Sequence, residues 1–144
     1  MEAKIEWKGD VQFEATSGTG HTTVLDGPED AGGTNAGARP MELILMGLGG
    51  CASYDVVTIL KKSRQPVTSC VTELKAERAD AVPAVFTKIH LEFVVSGDKL
   101  KDSVVKRAVE LSAEKYCSAS IMLAAAGVDV VDLTSKWKGA SAND

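Results

Sequence analysis

The 144 residues, 44% hydrophobic and 25% charged, have the size and composition of one globular domain with a core of its own. A formal charge of −4 and a pI near 5.2, with Lys and Arg scattered along the chain, exclude the basic surface that nucleic acid or an anionic membrane would require. The start MEAKIEWKGD carries acids and no apolar signal-peptide core, and the longest uncharged apolar run, Leu43 to Tyr54, is too short for a bilayer, so a cytoplasmic protein is expected.

AKIEWKG and VQFEAT read as two strands turning at Gly9 and Asp10, and HTTVL as a third, which makes an N-terminal antiparallel meander over residues 1–25. Residues 26–40 carry five glycines or prolines before Arg39 and have no hydrophobic period; they form a loop long enough to be functional. Pro40 suits a first helical turn, and a central helix is predicted over 41–64. It is apolar on almost every face, has Lys61, Lys62 and Arg64 at the negative pole of its dipole, and is stopped by Pro66. Gly47, Gly49 and Gly50 each cost about 1 kcal/mol relative to Ala inside a helix, which points to another backbone passing close by.

A β-hairpin follows over 67–96. In its second strand Val85, Thr87, Ile89, Leu91, Phe93 and Val95 alternate with Phe86, Lys88, His90 and Glu92, the period of a sheet covered on one face. Helices occupy 101–126. The first is amphipathic, with Val104, Val105, Ala108, Val109, Leu111 and Ser112 on one stripe; the second is capped by Ser118 or Ser120 and ended by Gly127. A last strand spans 128–135, and the tail KGASAND is expected to fray. The whole reads as a single α+β domain over 1–144, with antiparallel sheets wrapped around a long buried helix. Because a helix apolar all round needs cover on all sides, a homodimer is expected.

Cys51, Cys70 and Cys117 are odd in number and widely spaced, unlike the framework of a secreted scaffold. With His21 and His90 as the only histidines, a four-ligand zinc site would need nearly every Cys and His to converge, so neither a metal nor a cofactor is expected. Read alone, a cysteine in an apolar helix is as readily a small inert hydrophobe as a reactive group, and Cys70 reads as packing.

The segment GARPMELILMGLGGCASYDV, with EKYCSAS placing a second cysteine 66 residues after the first, resembles the OsmC/Ohr family of thiol-dependent hydroperoxide reductases, in its less characterised OsmC-like branch. The resemblance extends to EWKGDVQFEAT and GGTNAGARPMEL. It implies an intertwined homodimer with sheets outside and long helices central. It also implies a peroxidase in oxidative stress defence: Cys51 attacks the O–O bond of an apolar organic hydroperoxide and becomes a sulfenic acid. Cys117 condenses with it to a disulfide, and a dithiol such as a lipoylated protein reduces that disulfide.

The family's loop Arg and its Glu ten residues before the first cysteine have no exact counterpart. Met41 stands at the Glu position, Glu42 one residue later is roughly opposite Cys51 on the helix, and Arg39 is the nearest available arginine. Arg39 and Glu42 are therefore the candidate activating pair. Asp55, at i+4 from Cys51, is expected to oppose thiolate formation, and a Cys/His/Asp set with His90 is disfavoured because His90 alternates with Lys88 and Glu92. The alternative on the same scaffold is a dimeric small-molecule binding or stress-sensing protein without peroxidase turnover.

Overall fold

Gly9 (φ 110°) and Asp10 (φ 46°) take left-handed conformations, and the Trp7 indole N–H donates to the Asp10 carbonyl at 2.9 Å, so the first turn is locked by its own residues. The computed structural model describes residues 1–138, and side chains through Val131; all but the first residue of the KGASAND tail lies outside the described residues. The chain divides into two compact units, Met1–Ile44 and Leu45–Asp144.

The first unit is a three-stranded antiparallel sheet, β1 (Ala3–Gly9), β2 (Gln12–Ser17) and β3 (Thr22–Leu25), in the order β1-β2-β3. The loop that follows is ordered around Asp26. Its carboxylate accepts from the backbone N–H groups of Gly27 (2.7 Å), Thr34 (3.1 Å) and Ala36 (3.1 Å) and from the Thr34 hydroxyl (2.9 Å). The backbone N–H bonds of Ala36 and Gly27, with those of Thr34, hold its pKa down at about 2, against the opposing pull of burial. A 3-10 turn, Glu29–Ala31, interrupts the loop.

Helix α1 runs Pro40–Lys62. Arg39 is its N-cap: the Leu43 N–H donates to the Arg39 carbonyl at 3.0 Å, and Glu42 reaches back to accept from the Arg39 N–H at 2.9 Å. At 23 residues, with a mean hydropathy of 1.7 over its most apolar window, α1 is long and apolar enough to cross a bilayer, more than the interrupted run suggested. Yet Leu48, Ala52, Val56 and Leu60, one turn apart, are buried as a single stripe, so this is a core helix with one committed face. The other side is open among the described residues. Met46 and Tyr54 are 61% and 72% exposed, and Gly47 and Gly50 face empty space. The close approach inferred from the glycines occurs at Gly49 alone and is made by a side chain, not a backbone: a Cβ there would stand 2.7 Å from Leu74 Cδ1.

The second sheet has the order β4-β5-β6, from β4 (Val67–Arg78), β5 (Phe86–Gly97) and β6 (Asp129–Lys138). β4 and β5 are antiparallel, while β6 is parallel to β5. A parallel neighbour requires a crossover, and the helices between Asp102 and Ala125 supply it, so this sheet is mixed. Ile89, Leu91, Phe93 and Val95 are fully buried, but nearer the turn the alternation reverses: Phe86 is buried and Val85 is 51% exposed. The register shifts between Glu77 and Arg78, where one step on β4 spans two on β5, and a bulge of that kind moves every residue beyond it to the opposite face. Helix α2 (Asp102–Leu111) adds Val105, Ala108 and Val109 to the same core.

Candidate functional site

Cys51 and Asp55 project from one face of α1, a turn apart. The third element of the site begins where α2 ends. There the helix widens into a π turn, Ser112–Tyr116, closed by the Cys117 N–H donating to the Ser112 carbonyl at 2.8 Å. The chain then starts helix α3 (Ser118–Ala125), whose N-cap is Cys117 itself and not Ser118 or Ser120. The Cys117 sulfur accepts from the Ser120 N–H at 3.4 Å, taking the role a serine oxygen usually fills.

This arrangement brings the two sulfurs and a carboxylate oxygen together: Cys51 Sγ, Cys117 Sγ and an Asp55 oxygen all lie within 4.8 Å of one another. Cys51 and Asp55 are half-buried and Cys117 is fully buried. Burial pushes the Cys117 thiol up, the bonds to Ser120 pull it back, and the neighbouring Cys51 sulfur pushes it up again. Asp55 is likewise raised by burial, against the opposing pull of the nearby Ser112 hydroxyl. A carboxyl shifted this way keeps its proton to higher pH than an ordinary aspartate, so the charge penalty it imposes on a nearby thiolate is smaller than its sequence position alone suggests. One of its oxygens, Oδ2, is buried without a hydrogen-bond partner among the described residues.

Ser112 is the residue that sequence reasoning passed over. It is 1% exposed, and its hydroxyl donates to the Ala52 carbonyl at 3.1 Å, tying the π turn to α1 between the positions of Cys51 and Asp55. The signal was a serine on an otherwise apolar stripe, a polar group that burial forces to find a partner. Asp55 also lines a groove of about 460 Å³ with Tyr54, Thr58, Ile59, Leu111 and Tyr116.

Arg39 and Glu42 belong to the first unit. The Arg39 guanidinium donates to Asn35 Oδ1 at 2.8 Å and to the Gly37 carbonyl at 3.0 Å, and Glu42 caps the helix. Cys70, on β4, is half-buried, its thiol raised by burial, and it lines a separate surface cleft with Val57 and Lys61. His90 is half-buried on β5 and lines another groove with Lys75, Glu77 and Lys88.

Residues 33–131 match the family model described as OsmC-like protein. The chain is 45% identical over 126 residues to Protein YhfA of Escherichia coli K12, covering 85% of this chain and 89% of that one. A hypothetical protein from Aquifex aeolicus VF5 superposes with a TM-score of 0.79 at 30% identity, over 95% of this chain and 96% of its own. The organic hydroperoxide resistance protein OhrB of Bacillus subtilis shares the fold, with a TM-score of 0.59 at 20% identity over 96% and 98% of the two chains.

Proposed function

Because this chain belongs to the OsmC-like family and carries two thiols side by side, we propose that it is a thiol-dependent peroxidase that reduces organic hydroperoxides through a Cys51 and Cys117 disulfide cycle. The observation that carries this reading is the pair of sulfurs within 4.8 Å, contributed by elements 66 residues apart in sequence. A disulfide bond is about 2 Å long, so oxidation needs a closing movement of under about 3 Å, within reach of side-chain rotation.

Exposure separates the roles. Cys51, the more accessible sulfur, attacks the O–O bond, becomes a sulfenic acid and expels the alkoxide, which takes a proton from the medium and leaves as the alcohol. The buried Cys117 then displaces water from the sulfenic acid to form the disulfide, and a dithiol such as a lipoylated protein returns both thiols. The net reaction consumes one hydroperoxide and two thiol hydrogens and yields one alcohol and one water. The groove beside Asp55, with Tyr54, Ile59, Leu111 and Tyr116 on its walls, supports an apolar substrate tail.

Members of the family are typically dimeric, and the uncovered side of α1 supports a homodimer here as well. We place the protein in the cytoplasm, where reductants keep the thiols available. Arg39 and Glu42 enter this reading as order in the helix entrance.

The test is dithiol-dependent consumption of cumene hydroperoxide. Wild type is expected to turn over, Cys51→Ser to fall to background, and Cys117→Ser to accumulate a trappable sulfenic acid on Cys51. Activity that survives Cys51→Ser sinks the reading; wild-type protein inert to hydroperoxide but retaining an apolar ligand favours the binding-protein alternative.

A further inference from the structure

We propose that the reduced protein binds a borderline-soft divalent cation, Zn²⁺ in the first place, through Cys51 Sγ, Asp55 and Cys117 Sγ. The inference is independent of peroxidase turnover and requires only that the two thiols be reduced. Counting cysteines and histidines overlooked this site because its third donor is a carboxylate.

The three donor atoms converge from two elements and lie within 4.8 Å of one another. In a tetrahedral zinc site with Zn–S bonds of about 2.3 Å, the sulfurs stand about 3.8 Å apart, so the cluster needs to contract by about 1 Å or less. Cys51 and Asp55 are one helical turn apart on α1, the spacing at which two side chains of a rigid helix can share an ion. Cys117 is fixed at the head of α3 by the Ser120 N–H on its sulfur.

An independent observation points to a missing partner. Asp55 Oδ2 is buried without a hydrogen-bond partner among the described residues, an expensive condition for a carboxylate and one that a bound cation removes. The supporting backbone is also in place: the Ser112 hydroxyl donates to the Ala52 carbonyl and so holds the π turn against α1 between the two α1 donors. Access is provided by the half-buried Cys51 and by the groove that Asp55 lines.

Two sulfurs and one oxygen suit Zn²⁺ better than hard ions such as Mg²⁺ or Ca²⁺, which prefer all-oxygen shells. Three protein ligands leave a fourth position for water or an exogenous ligand, as in zinc sites that are not closed structural knots. Both thiols lose their protons to the medium on binding, and because the same sulfurs form the disulfide, metal occupancy and the oxidised state exclude each other.

The experiment is titration of the reduced, full-length protein with Co²⁺ as a spectroscopic probe and with Zn²⁺ as competitor. The expected result is one Co²⁺ per chain with sulfur-to-metal charge-transfer absorption, displaced by Zn²⁺, lost in Cys51→Ser and in Cys117→Ser, unchanged in Cys70→Ser, and weakened about tenfold or more in Asp55→Ala. Since a cysteine variant could misfold, a second measurement uses wild type alone: Zn²⁺ should slow alkylation of Cys51 about tenfold while leaving the equally half-buried Cys70 unaffected. Absence of a charge-transfer band in wild type, its persistence in either serine variant at the site, or equal protection of Cys51 and Cys70 overturns the proposal.

Discussion

Asp26 and Asp55 are the same residue type in opposite circumstances. Asp26 gathers four hydrogen bonds, three of them from backbone N–H groups, and is held near a pKa of 2. Asp55 keeps one buried oxygen without a partner among the described residues, and burial drives its pKa up. A carboxylate whose lone pairs are all answered by its own loop organises the backbone. One left unanswered beside two thiols is available to a proton, an ion or a substrate.

The largest expected effect lies at the Asp55 end. Cys51→Ser should lower hydroperoxide turnover about a hundredfold or more, whereas Asp26→Ala should leave turnover per folded molecule within about twofold, both read by dithiol-coupled kinetics. A matching loss in the two variants would erase the distinction between the sites. Next in size is the hydrophobic core: Phe93→Ala, fully buried on β5, should destabilise the chain by about 3–5 kcal/mol in denaturant melts.

The pH dependence of the two acids should differ in sign. Asp26 has a folded pKa below its ordinary 3.8, so its stabilising contribution is complete above that value and is lost as pH falls toward about 2; Asp26→Asn should flatten this acid limb in thermal melts. Asp55 is shifted the other way. Its protonated form is the one folding favours, so stability is greatest below 3.8 and declines as pH rises through the elevated folded pKa. Asp55→Asn should therefore raise the melting temperature at neutral pH and have no effect in acid; a neutral-pH loss would show that the ionised carboxylate is stabilising in place.

The smallest effect concerns the open side of α1. In a solvated helix Gly50→Ala gains about 1 kcal/mol, but if a partner packs there the added methyl should weaken the dimer, measured by sedimentation equilibrium.

Much of the architecture was legible in order and type. Pro40 and the basic residues at 61, 62 and 64 marked the long helix, and the alternation from Ile89 to Val95 marked the covered strand. Family motifs singled out Cys51 and Cys117. The i+4 spacing of Asp55 from Cys51 was equally visible, but the direction of its pKa was not, because the burial that sets it is not a local property. The exchange of Phe86 and Val85 escaped the pattern because one bulge resets the period of a strand.

The sequence by itself determined the helical and extended segments, the identity of the thiols and the family, since these follow from short-range periodicity, capping chemistry and motif order. Tertiary structure decided which stripe of α1 is buried, since a helix apolar on every side expresses no preference until a sheet arrives to cover one face. It also decided that the chain of α2 widens at Ser112 and turns at Cys117, and this brings a sulfur from 66 residues away to the side of Cys51 and Asp55. Proximity across such a gap is a product of packing, and no local pattern encodes it.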